Sequence, residues 1–351
     1  LKKKASYKVI GLMSGTSLDG IDIAYCDISF NKGLWKYNIG HAETIPYPKQ
    51  WKIRLEKLEK SNALEFVQTD VQYGHYLGKH VHTFIKKYTL KPNFVSSHGH
   101  TIFHQPNNSL STQIGNGAAI SAECNLPVVC DFRSKDIALG GQGAPLVPIG
   151  DALLFPENAY CLNLGGFANI SFDKNGKRLA FDICPVNIVL NLLSNKLGKK
   201  YDENGNLARK GKINEILLKK LNQLPYYKQK PPKSLGREWV MTTVAPLLQK
   251  SGKNPFDLLR TYTEHAAMQI ASVSKSNSLF VTGGGAYNGF LADRIQYYSG
   301  KKISVPDKKT LEFKEALIFA FLGVLRWRNE VNCLSSVTGV KYDHVGGCVY
   351  L

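Results

Sequence analysis

The chain has no apolar run approaching the roughly 20 residues needed to cross a bilayer, so a membrane-spanning helix is not expected. It has no Cys-x-x-Cys pair. Its seven cysteines are an odd number, most of them in apolar, strand-like contexts, so the spacing predicts reduced, buried thiols in a cytoplasmic protein and no zinc site. Leu1 to Lys4 has the basic character of an export signal, but the apolar segment after it is too short for one. Acidic residues are scarce, 27 against 45 basic, which leaves a formal charge of +18. The lysines are scattered and few alternate with aromatics, as a single-strand nucleic-acid groove would require. Nucleic-acid binding is therefore not expected, and the charge is read as solvated surface that steers a polyanionic ligand.

Two nucleotide signatures are also missing. The glycine-rich stretch from Gly11 to Asp22 lacks the Lys-Ser/Thr ending of a P-loop and the spacing of a dinucleotide fingerprint. What it has instead is Gly11, Gly15 and Gly20 around the hydroxyls of Ser14, Thr16 and Ser17, followed by Asp19 and Asp22. Clustered N–H groups and hydroxyls cradle a polyanion, and nearby carboxylates hold its metal ion. An ordinary glycine turn is the competing reading for this stretch taken alone.

At 351 residues two domains are expected. Strand-like segments at 7–10, 21–28, 94–97, 127–130, 159–164, 168–172 and 279–281 alternate with helical spacing at 51–60, 63–88, 213–221, 257–272 and 313–329, which indicates an α/β architecture. The strand–glycine turn–strand plan of residues 8–27 recurs at 159–173, with Asn163, Gly165 and Gly166 in the turn. The expected division falls in or just after the glycine-rich Gly140–Pro145, giving domains 1–145 and 146–351.

Further candidates follow the strands. His98 and His100 sit two apart, open to a metal pair or, more simply, to hydrogen bonding in a polar cleft. Arg133 can anchor a carboxylate or phosphate, or can pair with Asp131 and Asp136. Asp182 ends a short apolar strand, where partial desolvation suits a general base. A cap or turn before Pro185 is its simpler role. Gly283, Gly284 and Gly285 follow a third strand, where bare backbone lets a flat ring pack close.

Taken in order, two phosphate-type hairpins and then a triple-glycine loop, these residues resemble the actin-like ATPase and sugar-kinase superfamily. Within it the chain resembles the anhydro-N-acetylmuramic acid kinase family, through Met13–Gly20, Ser97–Gly99, Asp131–Arg133, Gly141–Pro148, Asn163–Gly166, Ala168–Ile170, Gly236–Glu238, Gly283–Ala286 with Asn288, Glu315–Ala316 and Ser336–Gly339. The resemblance implies two actin-like, ribonuclease H-like domains facing each other across a nucleotide cleft. It implies an ATP- and Mg²⁺-dependent enzyme that opens the 1,6-anhydro bridge of its amino sugar and phosphorylates O6 during peptidoglycan recycling. Carried over by position, Gly15, Thr16, Ser17, Leu18, Asp19, Gly20, Ile21 and Asp22 hold the ATP phosphates, with Asp19 on the metal. Asn163, Gly165 and Gly166 form the second clamp, and Gly283, Gly284 and Gly285 the adenosine seat. Asp182 is the base, Glu315 its support or that of the substrate, and His98, Arg133 and Gln142 contact the sugar. A simpler role for Glu315 is a helix N-terminal charge. A homodimer is also implied.

The chain departs from the family pattern mainly around Asp182, where Ile183, Cys184 and Val186 replace a hydroxyl and two glycines, and His100 and Asn191 replace a glutamine and an aspartate. These departures keep a kinase acting on another sugar open, as well as a nucleotide-binding protein without turnover.

Overall fold

The computed structural model describes residues 3–15, 18–252, 254–274 and 278–351. Two compact units emerge: residues 1–155 with 313–351, and residues 156–312.

In the first unit, β1 (Ser6–Ser14), β2 (Gly20–Asn31) and β3 (Leu34–Pro46) form an antiparallel meander. β4 (Phe94–Gln105) runs parallel to β1, β5 (Leu110–Ile114) folds back on β4, and β6 (Val128–Cys130) continues parallel to β4. Helix Ala63–Tyr88 covers one face. Asn62 caps it by accepting the Glu65 N–H at 2.9 Å, and Tyr73, Leu77, Val81 and Phe84, spaced at three to four, bury against Ile10, Leu12, Ile23 and Val95. Against β1 and β4, residues 313–328 lie so close that a Cβ on Gly11 would stand 2.0 Å from the Ala316 carbonyl oxygen. The Ser96 hydroxyl likewise donates to the Phe319 carbonyl at 2.5 Å.

In the second unit, β7 (Tyr160–Leu164), β8 (Phe167–Lys174) and β9 (Lys177–Pro185) form another antiparallel meander. β10 (Ser278–Thr282) and β11 (Lys302–Ser304) extend it in parallel. The order β9-β8-β7-β10-β11 repeats the first unit's β3-β2-β1-β4-β6, so the α/β fold is built twice on one ribonuclease H-like plan. Helix Pro255–Val273, with proline in its first turn and an Asn254 cap, closes the second core. β12 (Cys348–Tyr350) returns to the first sheet beside β6.

The units do not divide at 145/146. The loop Gly140–Pro145 is tied into the first unit, where Gly143 N–H donates to Asp136 and Gln142 N–H to the Thr338 carbonyl. Gly150, on the helix that follows, packs bare against Ile318. The chain leaves the first unit after Phe155 and re-enters it at Phe313, where helix Lys308–Arg328 breaks (φ −115°, ψ 18°). Among the described residues no helix is long and apolar enough to cross a membrane.

Candidate functional site

The first hairpin joins β1 to β2, paired in register up to Met13 opposite Asp22. Its tip contains Gly15, Leu18 and Asp19, with Leu18 at φ 57° and its N–H donating to the Gly15 carbonyl at 3.3 Å. Thr16 and Ser17 lie outside the described residues. Asp19 is exposed, and its carbonyl accepts the Tyr47 N–H. Asp22 accepts a 2.5 Å hydrogen bond from the Thr44 hydroxyl on β3. Gly11 and Gly20 serve packing within the fold, since a Cβ on Gly20 would meet the Ile45 carbonyl oxygen at 2.3 Å. Ile21 is a core residue, so only its backbone is available to a ligand.

Behind the hairpin is a polar network that the sequence reading did not anticipate. Ser14 Oγ bonds the Tyr47 hydroxyl at 2.6 Å and His100 Nδ1 at 2.8 Å, and Tyr47 bonds the Tyr73 hydroxyl. Burial pushes His100 down to about 4, so it is neutral at physiological pH. His98 has a different partner. Its Nδ1 bonds the Gly99 carbonyl at 2.9 Å, while Nε2 accepts from Arg133 Nη2 at 2.9 Å. Burial, and then the Arg133 charge, hold His98 well below the usual imidazole range. The two histidines are therefore hydrogen-bonding residues with separate partners and not a metal pair. Arg133 pairs with neither Asp131 nor Asp136. Besides His98 it donates from Nη1 to the Gly143 carbonyl at 2.6 Å, and burial lowers its guanidinium to about 10.

The Gln142 side chain is exposed on the same loop. Glu315, in the first turn after the break at Phe313, has solvent-open surface yet is densely surrounded. That surrounding mass raises its pKa, Asp22 adds to the rise, and Lys314 and Arg133 oppose it. Within this unit, then, Asp22 and Arg133 each lie near enough to Glu315 to act on its charge.

In the second unit the turn between β7 and β8 and the triple-glycine loop are packed together. Gly283 adopts φ +83°, and a Cβ there would sit 2.4 Å from Asn163 Oδ1. A Cβ on Gly285 would meet Leu164, whereas Gly284 faces open space. The carbonyls of Gly165 and Gly166 accept the N–H groups of Asn187, Val186 and Ile188, which orients the turn. Asn288 then caps helix Gly289–Ser299 by accepting the Leu291 N–H at 3.0 Å.

Asp182 lies on β9 beside a register shift opposite Ala168 and Asn169. Its Oδ2 accepts the Leu235 N–H at 2.9 Å, its carbonyl accepts the Tyr226 hydroxyl at 2.6 Å, and its N–H donates to Lys233. Burial raises its pKa and the Leu235 bond opposes that rise. Lys233 Nζ sits 4.5 Å over the Tyr226 ring. The substituted neighbours Ile183, Cys184 and Val186 point into the core. Asp182 alone among residues 181–186 is partly open to solvent, so the larger side chains fill the interior and do not crowd the carboxyl's open side.

Leu235 is part of this setting although sequence reasoning did not place it there. Its one signal was its position just before the Gly236–Glu238 motif.

A family profile for anhydro-N-acetylmuramic acid kinase matches residues 7–351. A protein of that name from Sulfurovum sp. (strain NBC37-1) is 34% identical, covering 98% of this chain and 99% of its own length. One from Francisella tularensis subsp. novicida (strain U112) is also 34% identical, with 95% of both chains covered. Among solved structures, the activator of the 2-hydroxyisocaproyl-CoA dehydratase from Clostridium difficile with bound ADPNP aligns at 14% identity with a TM-score of 0.44, covering 92% of this chain and 97% of that one. The chain belongs to the anhydro-N-acetylmuramic acid kinase family.

Proposed function

We propose that this member of the anhydro-N-acetylmuramic acid kinase family uses ATP to convert anhydro-N-acetylmuramic acid to N-acetylmuramic acid 6-phosphate, in the recycling of peptidoglycan in the cytoplasm. The observation that carries the reading beyond family membership is Asp182, a partly open carboxyl with a raised pKa, fixed by the Leu235 N–H. A carboxylate held at one oxygen keeps the other free to accept a proton.

Asp182 takes a proton from water as that water's oxygen bonds to the anomeric carbon. The bond from that carbon to the bridging oxygen breaks, and O6 receives the γ-phosphoryl group as ADP leaves. Such a transfer depends mainly on positioning and charge neutralisation. In the first unit we assign phosphate binding to Gly15, Leu18 and the backbone of Gly20 to Asp22, and in the second unit to Asn163, Gly165 and Gly166. Gly284, open to its surroundings between two tightly packed glycines, offers the adenosine a bare surface. Arg133, oriented by His98 and Gly143, contacts the sugar together with Gln142.

The oxygen donors of Asp19, Asp22 and Glu315 suit a hard cation, and the mutual influence of Asp22 and Glu315 places two carboxylates in one field. These residues would hold Mg²⁺, which supplies charge neutralisation on the phosphates.

A coupled ADP-release assay with Mg-ATP tests the reading, with anhydro-N-acetylmuramic acid, N-acetylmuramic acid, other sugars and no sugar compared. ADP release with the anhydro sugar and a 6-phosphate product by mass are expected. Release with a different sugar only, or none at all with intact ATP binding, overturns the proposed substrate.

A further inference from the structure

Three buried side chains in the first unit, from segments far apart in sequence, converge on one point. Cys333 and His344 form an isolated antiparallel bridge, each accepting the other's N–H at 3.1 Å, which sets their side chains opposite each other. Asp136 approaches from the short helix Ser134–Ala138. One donor atom from each of the three lies within 4.8 Å of the others. His344 is 4% exposed, and neither of its ring nitrogens has a hydrogen-bond partner. A buried imidazole with no hydrogen bond at either nitrogen is costly and calls for an explanation.

We propose that Asp136, Cys333 and His344 bind a divalent transition-metal cation, of which Zn²⁺ fits best. His344 Nε2 stands 3.6 Å from Asp136 Oδ1, too far for a hydrogen bond. It is close to the roughly 3.3–3.5 Å that separates a nitrogen and an oxygen ligand of a tetrahedral zinc. The mixed nitrogen, oxygen and sulfur set is one zinc accepts, with water completing the fourth position. One carboxylate and one thiolate balance the charge of the ion, which a closed interior requires. Without a cation, burial and the Asp136 charge push the Cys333 thiol up to about 12. A bound cation reverses that preference by holding the thiolate.

Asp136 keeps its supporting bonds while ligating. Thr338 Oγ1 donates to Oδ1 at 2.7 Å and Gly143 N–H donates to Oδ2 at 2.7 Å, and each carboxylate oxygen has two acceptor directions. Gly143 in turn receives Arg133 through its carbonyl. The cation would therefore tie the C-terminal segment to the loop that orients Arg133. Cysteine spacing could not show this site, because the ligands come from three distant segments.

The test uses the untagged full chain, equilibrated with Zn²⁺, dialysed and analysed for metal, and separately titrated with Co²⁺. One Zn²⁺ per chain and a near-ultraviolet thiolate-to-cobalt band are expected. Cys333→Ser should abolish the band, while Cys348→Ser, at the exposed cysteine, should keep it. His344→Gln should weaken Zn²⁺ binding by at least the roughly 10–100-fold that loss of a supporting contact produces. Absence of stoichiometric metal and of the band in the wild-type chain overturns the proposal whether or not the variants fold. So does a band that survives Cys333→Ser.

Discussion

Replacing Asp182 with asparagine separates its chemistry from its structural role. The amide has nearly the same shape, and its oxygen can still accept the Leu235 N–H that now reaches Oδ2 at 2.9 Å. The backbone bonds to Tyr226 and Lys233 do not involve the side chain. What is lost is the proton acceptor, and removal of a general base typically costs about 10²–10⁴-fold in rate. That corresponds to about 2.7–5.4 kcal/mol of transition-state stabilisation. Stability should move the other way. Burial raises the Asp182 pKa above its ordinary 3.8, so the folded chain binds this proton more tightly than the unfolded chain does. The stabilisation this gives is present at low pH and lost as pH rises through the folded value, leaving the carboxylate a burden at neutral pH. Asp182→Asn should therefore melt no lower than wild type at pH 7, bind ATP normally and release ADP about 10²–10⁴ times more slowly. The wild-type rate should also show an acidic limb above the ordinary carboxylate range, absent from the residual activity of the variant. Near-wild-type turnover would refute the assignment of the base. A lowered melting temperature with an unchanged pH profile would make the residue a structural cap.

Three further substitutions probe the surroundings. Gly283→Ala forces a side chain onto a φ +83° backbone and within 2.4 Å of Asn163 Oδ1, so the KM for ATP should rise about tenfold or more with little change for the sugar; equal ATP kinetics would exclude this loop from the nucleotide site. Arg133→Ala leaves His98 Nε2 and the Gly143 carbonyl without their donor, so unfolding free energy should fall by about 1–3 kcal/mol in a urea titration and the sugar KM should rise; an unchanged sugar KM would leave Arg133 a purely structural role. His100→Gln keeps a hydrogen-bonding group near Ser14, and because His100 is already neutral above about 4, its pH–rate profile from pH 6 to 8 should overlay that of wild type. A new ionisation appearing in that range would contradict the neutral assignment.

What could be read from the sequence was local. The stretch 63–88 was visible as a helix because Tyr73, Leu77, Val81 and Phe84 repeat at helical spacing, and its observed bounds coincide with the expected ones. The first hairpin was visible because glycines and hydroxyls cluster between positions 11 and 22, and the second because a glycine turn at 163–166 lies between two strand-like segments. Strand β3 was not foreseen. It borders the sheet, and its mixture of exposed and buried positions, among them exposed Leu34 and buried Trp35 and Ile39, never forms an apolar run.

The division between units escaped for a different reason. Glycine-rich composition at 140–145 looks like a linker to any window that sees only neighbours. Its real partners, Asp136 and Thr338, are joined to each other across 202 positions, and Ser96 reaches Phe319 across 223. The same blindness to long-range pairing hid Leu235, 53 residues from the carboxyl it serves. It also hid the Asp136, Cys333 and His344 cluster. Residue chemistry can nominate Asp182 as an acid, but which backbone N–H holds it, and therefore which of its oxygens is free, is decided by the segment that folds back over β9. Asp182→Asn tests the acid. Leu235→Pro, which removes the N–H that Asp182 Oδ2 accepts, tests that segment. If the segment sets the carboxyl's orientation, Leu235→Pro should lower kcat while leaving the ATP KM unchanged. Unchanged kcat would mean that β9 alone positions Asp182.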